Sequence, residues 1–236
     1  IKPVLRGRDI HKWRYKWEGF WIIKIEAGWT NKHCKKENPE EFFKNIFSSL
    51  YNYFLQFKDY KGKGKGLLNR DDQGDYWWEL RHCDYYSEFE KEKIVWQRVT
   101  KNFSFCFVPK GLYTLDSIAF MTGENLRFIL GILNSKVIDF YVKTYVHQLS
   151  DTGFLLSNQY VERIPIPIIT LENEEIAKRI EILVNKIIDI TSCKDYESDL
   201  NKQSEVKTLE NEINALVYKL YNLTTEEIQI IEKNYN

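Results

Sequence analysis

Aromatic and basic residues are interleaved in two short stretches of the sequence, and this mixture suits contact with nucleic acid. The stretches are Trp13-Arg14-Tyr15-Lys16-Trp17 and Tyr76-Trp77-Trp78-Glu79-Leu80-Arg81. Aromatic rings stack on bases and sugars, while neighbouring cations neutralise phosphates. A mixed protein core accounts for the same residues. Composition alone therefore favours nucleic-acid binding and a protein-interaction module equally, with carbohydrate or small-molecule binding behind both.

A basic, glycine-rich segment runs from Lys58 to Gly66 with the sequence KDYKGKGKG. It predicts a loop whose cations, Lys61, Lys63 and Lys65, could contact the phosphates of a nucleic-acid backbone. The same loop contains Asp59-Tyr60-Lys61, which matches the D-x-K end of a metal-dependent nuclease signature. No aspartate on a paired strand precedes it, so a solvated or phosphate-binding loop is the better interpretation.

Motifs for other chemistry are missing from the sequence. It contains no G-x-S-x-G, H-E-x-x-H, G-x-x-x-x-G-K-[ST] or G-x-G-x-x-G, which excludes the usual nucleophile, zinc, P-loop and dinucleotide motifs. Asn38-Pro39 is followed by two acids rather than by an aromatic residue that could hold a flipped base. The four histidines are scattered. The sequence therefore predicts neither a catalytic residue nor a metal site.

Charge is balanced over the whole chain but not along it. The 236 residues include 34 Lys and Arg and 34 Asp and Glu. Residues 1–36 hold ten basic against three acidic side chains, and residues 171–236 hold eight against fourteen. A basic N-terminal region facing a polar partner and an acidic C-terminal region are expected.

The cysteines, the apolar runs and the first residue predict where the protein is located and whether the chain is a fragment. Four cysteines without metal-ligand or disulfide spacing predict free thiols in a reducing cytoplasm. No apolar run approaches the roughly 20 residues that cross a bilayer, so no membrane contact is expected. Because the chain begins with Ile1 and no methionine, we expect a fragment of a longer polypeptide.

The first two thirds of the chain predict strands with helices packed on them. A strand is expected at 20–25, and short strands or strand-turn units are expected at 75–81, 93–98 and 103–108, where β-branched and aromatic residues are dense. Asn38-Pro39-Glu40-Glu41 is a helix start, and apolar spacing continues that helix to Phe57. A second long helix is expected from Glu124 to Tyr145. The prolines of Ile164-Pro165-Ile166-Pro167-Ile168 then predict an extended boundary segment.

The last third predicts helices with heptad spacing. Apolar residues follow steps of three and four from Ile176 to Ile190 and from Val206 to Leu220, which favours an antiparallel hairpin. Thr224-Thr225-Glu226-Glu227 predicts a capped last helix. The expected fold class is α/β of the α+β type: a mixed β-sheet domain at 1–170 with packed helices, and a helical hairpin at 171–236.

Five stretches in this order resemble the TaqI-like C-terminal specificity domain, the target recognition domain of type IIG restriction-modification enzymes and related DNA adenine methyltransferases. They are Leu5-Arg6-Gly7-Arg8-Asp9-Ile10, Tyr76 to Arg81, Phe89 to Trp96, Leu130 to Lys136 and Tyr160 to Pro167. The resemblance extends to the tail from Leu220 to Ile228. Glu92 departs from the family, which often has proline there, and this affects the local turn.

The resemblance implies a non-catalytic domain that binds double-stranded DNA and directs an adenine methyltransferase, in cis or in trans, to its site. It implies a C-terminal hairpin like the spacer helices of type I specificity subunits. Endonuclease activity, S-adenosylmethionine and Mg²⁺ are expected only in the full-length enzyme, with no cofactor in this fragment. The heptad helices could also join two copies into a homodimer.

DNA contacts are expected from polar, basic and aromatic side chains in the first 150 residues. Arg6 and Arg8 suit scaffold or phosphate contacts. The other candidates are Lys61, Lys63, Lys65, Arg70, Gln73, Trp77, Arg81, Arg98, Lys101, His147 and Gln148. Two alternatives remain: a helical assembly module that joins subunits without binding DNA, and a nuclease that uses the Asp59-Tyr60-Lys61 segment.

Overall fold

The computed structural model describes residues 1–61, 66–149 and 153–235. Within them, nine α-helices and eleven short strands form, together with 3₁₀ turns at Gly7–Asp9, Leu67–Asn69 and Tyr86–Glu90. The strands are β1 Lys2–Leu5, β2 Ile10–His11, β3 Arg14–Tyr15, β4 Trp21–Ile22, β5 Lys93–Gln97, β6 Val99–Thr100, β7 Phe105–Val108, β8 Tyr113–Thr114, β9 Ile118–Met121, β10 His147–Leu149 and β11 Gly153–Leu155. The helices are α1 Trp29–His33, α2 Pro39–Ile46, α3 Ser48–Lys58, α4 Leu126–Leu133, α5 Lys136–Lys143, α6 Asn158–Val161, α7 Glu174–Thr191, α8 Leu200–Leu220 and α9 Thr225–Glu232.

The chain forms two compact units. The first comprises residues 1–2 and 21–87, and the second comprises residues 3–20 and 88–236. We call them the small unit and the large unit. The predicted division at residue 170 stays a prediction, and the α+β fold class is confirmed.

Aromatic packing holds the small unit together. Phe43, on α2, stacks on the indole of Trp78 with ring centroids 4.9 Å apart, and Tyr76 also stacks on this indole at the same distance. Asn38 caps α2 as predicted, with its side chain accepting from the N–H groups of Glu40 and Glu41. The predicted single helix to Phe57 is instead two, because the backbone leaves the helical conformation at Phe47.

A buried glutamate explains why residues 75–81 form turns, without the strand that the predicted short strand or strand-turn unit would contain. Glu79 is fully buried, and its carboxylate accepts hydrogen bonds from the backbone N–H groups of Gly28, Thr30 and Asp75 at 3.1, 2.8 and 3.0 Å. Three amide donors stabilise the charge that burial would otherwise penalise. The strand predicted at 20–25 is likewise reduced to Trp21–Ile22.

The large unit is built on the sheet β7-β5-β9, in which both neighbours of β5 are antiparallel to it. All four residues of β7 are buried, as are four of the five in β5. This agrees with their β-branched and aromatic composition. Strand β1 pairs in parallel with β8, and the hairpin β2-β3 contacts β7.

Helices cover one side of this sheet. The predicted helix from Glu124 to Tyr145 is two helices, since α4 ends at Leu133 and Ser135 caps the start of α5. Helices α7 and α8 form the predicted antiparallel pair, with Arg179 of α7 bonded to Glu212 of α8 at 2.5 Å. Their heptad residues Ile180, Leu183 and Ile213 are buried in the core shared with α4.

Candidate nucleic-acid interface

A tight turn after β1 fixes Arg6 and exposes Arg8. The buried Asp9 carboxylate accepts hydrogen bonds from the backbone N–H and from Nη2 of Arg6, both at 2.8 Å. The Arg6 guanidinium also lies 3.9 Å from the ring centroid of Phe20. Burial alone would raise the pKa of Asp9, but the hydrogen bonds from Arg6 outweigh it and hold this pKa below its ordinary value. Arg6 thus stabilises the turn, and its contact with DNA stays a prediction.

A groove of about 470 Å³ brings Arg8 and Arg98 together across 90 residues of sequence. Val99, Leu155 and Asp116 also line it. Arg98 is exposed, and its Nη1 donates to the carbonyl oxygen of Asp116 at 3.2 Å. Two guanidinium groups beside an apolar floor form a surface that can accept a phosphate or a base edge. We call this surface the arginine groove.

A three-stranded antiparallel sheet, β10-β11-β6, continues from the arginine groove. His147 lies opposite Leu155, which lies opposite Val99, so these three side chains share one face of the sheet. Val99 is 51% exposed and Leu155 lines the groove, so this face is the outward one. His147 is therefore about 10 Å from Val99, two strand spacings away.

Gln148 lies on the opposite face of the same sheet. It is registered with Phe154 and Thr100, and Phe154 packs its ring on Phe103 in the core at a centroid distance of 5.2 Å. Although Gln148 is exposed at the edge strand, its side chain leaves the sheet on the other side from His147. Lys101 follows β6 and is exposed.

Arg70 and Gln73, two of the predicted DNA contacts, form hydrogen bonds with the backbone of the small unit. Nη2 of Arg70 donates to the carbonyl oxygens of Trp77 and Glu79 at 3.1 and 2.6 Å. Burial lowers the pKa of Arg70. The side-chain nitrogen of Gln73 donates to the carbonyl oxygens of Leu68 and Arg70 at 2.7 and 3.0 Å. Their observed contacts are structural, and contacts with DNA by either residue remain predictions.

The other predicted residues of the small unit differ in exposure. Trp77 is only 6% exposed and belongs to the aromatic core. Lys61 and Arg81 are exposed, as a phosphate contact requires. Lys63 and Lys65 lie outside the described residues. The structure thus brings Arg8, Arg98 and His147 to one surface and leaves the candidates of the small unit on a separate unit.

The aromatic-basic stretch at 13–17 is mainly structural. Trp13 is 3% exposed, and its Nε1 donates to Glu210 at 2.6 Å. Arg14 forms a salt bridge of 2.5 Å with Glu197. The density of aromatic residues that suggested nucleic-acid contact in this stretch is therefore explained in part by the core of the large unit.

A polar network that the sequence does not reveal lies on the surface of the small unit. Nε2 of His82 lies 2.8 Å from Oδ1 of Asp75, and Nδ2 of Asn31 donates to Oδ2 of Asp75 at 2.7 Å. The hydroxyl of Tyr76 donates to Oδ1 of Asn31, also at 2.7 Å. We call these four residues the His82 network. Because Asn31 lies more than 40 residues before its partners, no local spacing reveals it.

The sequence that forms these surfaces matches a known protein family. The model of the TaqI-like C-terminal specificity domain matches residues 2–166. The chain belongs to this family. The match includes the arginine groove, the sheet β10-β11-β6 and the His82 network, and it ends before α7. No curated protein matches the chain.

Membership of the TaqI-like family assigns the chain to the domains that recognise DNA in restriction-modification systems. A specificity domain is not catalytic by itself. Within residues 1–61, 66–149 and 153–235, no group of three or more His, Cys, Asp or Glu side chains is placed so that it could hold a metal ion. No helix in those ranges is long and apolar enough to cross a membrane.

Proposed function

We propose that this chain recognises a specific sequence in double-stranded DNA and directs an adenine-specific methyltransferase, in cis or in trans, to that site. Where the full-length protein carries an endonuclease, the same domain would position it. The whole assembly would be a type IIG restriction-modification enzyme that acts in the cytoplasm.

The arginine groove is the observation that carries this proposal. It gathers cations from separate parts of the chain beside an outward sheet face that bears His147. Arg8 and Lys101 suit phosphate contacts, which set the position of the domain on the duplex but carry no sequence information. Arg98 and His147 stand beside the apolar side chains of Val99 and Leu155, and they suit base edges in the major groove.

Cofactors belong to the partner domain in this proposal. The described residues offer no cluster of metal ligands, and the sequence has no dinucleotide or methyltransferase motif that would hold S-adenosylmethionine. The family resemblance implies that S-adenosylmethionine and Mg²⁺ would be bound by the methyltransferase and nuclease parts of the full-length enzyme. No step of their chemistry is assigned to this chain.

Selection from a randomised duplex pool at two salt concentrations tests the proposal. Sequencing of the bound fraction should show one enriched site, with affinity that falls as salt rises. Each phosphate contact contributes roughly 0.9 to the slope of log K against log salt. Arg8→Ala should therefore reduce this slope by about 0.9, while Arg98→Ala should relax the preference at one base position.

Arg179→Ala is the matched control, because Arg179 is exposed on the helical hairpin and paired with Glu212. It should leave both the slope and the enriched site unchanged. If the wild-type chain, tested also with its methyltransferase partner, enriches no sequence, the proposal is wrong.

The helical assembly alternative is weakened by burial. The heptad residues Ile180, Leu183 and Ile187 are fully buried within the large unit, so this seam is already occupied. A homodimer through the C-terminal helices would need other residues of α7, α8 or α9. Measuring the molar mass of the chain from 1 to 100 µM by light scattering checks this alternative.

A further inference from the structure

The His82 network fixes which hydrogen-bonding group His82 presents to solvent. An ionised carboxylate has no proton to donate, so Nε2 of His82 must be the donor in its contact with Asp75. In the neutral imidazole, Nδ1 is then the acceptor. The His82 side chain is 70% exposed, so this acceptor is available to a ligand.

The rest of the network holds Asp75 in place. Tyr76 donates to the carbonyl oxygen of the Asn31 side chain, which directs the Asn31 amide nitrogen to Asp75. Each carboxylate oxygen of Asp75 therefore has a defined donor, Asn31 on Oδ2 and His82 on Oδ1. Exposed ion pairs contribute little to stability, so a fold-stabilising role does not account for this ordering of an exposed ring.

We propose that His82 is a specificity-determining residue that accepts a hydrogen bond from the exocyclic amino group of adenine or cytosine. In the major groove, only these two bases present an amino donor, whereas guanine and thymine present acceptors there. Arg81, which is exposed beside His82, would contact the adjacent phosphate. This inference rests on the proposed DNA-recognition function and assigns a base contact to the small unit.

Asp75 is a positioning residue in this proposal, and Asp75→Asn is the informative variant. Asn31 donates to Oδ2, so the new amide should keep its oxygen there and turn its NH₂ group toward His82. The NH₂ group would favour the tautomer in which Nε2 accepts and Nδ1 carries the proton. His82 would then present a donor, and the preferred base should change from adenine or cytosine to guanine or thymine.

The experiment measures competition binding with duplexes in which each position of the selected site is substituted in turn. His82→Ala should lower the preference for adenine or cytosine at one position by about three- to tenfold, the effect of one hydrogen bond, and leave the other positions and the salt slope unchanged. Asp75→Asn should reverse the preference at that same position. Asp84→Asn, an exposed aspartate in the same unit, is the control and should have no effect.

The outcomes separate the two proposals. If the wild-type chain selects a site but His82→Ala has the same profile, or weakens binding equally at every position, the role assigned to His82 is overturned and DNA recognition stands. If the wild-type chain selects no site, DNA recognition itself fails. Circular dichroism establishes that each variant is folded.

Discussion

The side chain of Asn134 forms two hydrogen bonds with the backbone of Phe105. Its Oδ1 accepts from the Phe105 N–H at 3.1 Å, and its Nδ2 donates to the Phe105 carbonyl at 2.9 Å. Phe105 begins β7, an edge strand of the sheet β7-β5-β9. Asn134 lies in the short gap between α4 and α5. Together with the Trp13 N–H, which also donates to the Phe105 carbonyl oxygen at 3.0 Å, it satisfies backbone groups that a further strand would otherwise pair.

Replacing Asn134 with Ala should lower the free energy of unfolding by about 2 kcal/mol, because a buried N–H of Phe105 loses its acceptor. Urea denaturation followed by circular dichroism measures this change. Asn201→Ala is the control, since Asn201 is exposed in the first turn of α8. Equal effects of the two substitutions would show that the Asn134 bonds do not stabilise the sheet.

The same contact explains why the single long helix predicted at 124–145 is two helices in the structure. Helical spacing is a local pattern, and it continues across Asn134 and Ser135. The break depends on a partner 29 residues earlier in the chain, which periodicity does not contain. By contrast, the heptad spacing at 176–190 and the capping box at Thr224 are local, and the helices they predict form.

The candidate site also has features that the sequence predicted and features that it could not predict. Side-chain chemistry and the family resemblance pointed to Arg8 and Arg98 as cations suited to DNA, and the structure shows that they line one groove. Sequence could not show that the Arg70 guanidinium is directed to the backbone, or that His147 and Gln148 leave their strand on opposite faces. The first depends on how the irregular turns at 70–80 fold back on themselves, and the second on the formation and register of β10.

Close approach of α4 and α7 requires glycine at position 131. A methyl group there would lie 2.4 Å from Cγ2 of Ile180 and 3.1 Å from Cγ2 of Val184. Gly131→Ala should therefore destabilise the large unit by about 1 to 3 kcal/mol, the usual cost of overpacking. Thermal unfolding of Gly131→Ala, Ile180→Ala and the double variant measures it. The double variant should be more stable than the sum of the single effects predicts, and simple additivity would contradict the proposed clash.

The Arg6–Asp9 pair should make stability depend on acid pH. The pKa of Asp9 in the folded chain lies below its ordinary value of 3.8. The stabilisation is therefore present above about pH 4 and is lost as pH falls through the folded pKa. Asp9→Asn should cost about 2 kcal/mol at pH 7 and a smaller amount at pH 3. Unfolding free energies at the two pH values check this, and a cost that is independent of pH would argue against the charged pair.

Lys93 should give a pH dependence of the same sign, but in the alkaline range. Its ammonium group is fully buried and donates to the carbonyl oxygens of Phe89 and Leu112 at 2.9 and 3.2 Å. Burial lowers its pKa from 10.5 to about 8. Between these values the unfolded chain binds more protons, so stability should rise with pH, by about 2 kcal/mol from pH 7.5 to pH 10.

The Lys93→Met variant isolates this contribution, because other groups titrate equally in both chains. The unfolding free energy of the wild type minus that of Lys93→Met should increase as pH rises from 7.5 to 10. A constant difference would mean that the folded and unfolded chains bind the Lys93 proton equally.

Arg70 and Arg98 should respond in opposite ways to substitution. Arg70→Met removes the donor to the carbonyl oxygens of Trp77 and Glu79, so it should destabilise the small unit by about 2 kcal/mol. Arg98 is exposed and makes one long hydrogen bond, to Asp116, so Arg98→Ala should change stability by less than about 0.5 kcal/mol.

In DNA binding, Arg98→Ala should have a larger effect than Arg70→Met. Arg98→Ala should weaken discrimination at the selected site, whereas Arg70→Met, at a temperature where it is folded, should keep the wild-type base preference. Thermal unfolding and competition binding on the same two preparations test both halves. If Arg70→Met alters the preference at a single base while remaining as stable as wild type, then Arg70 contacts DNA and its backbone hydrogen bonds are secondary.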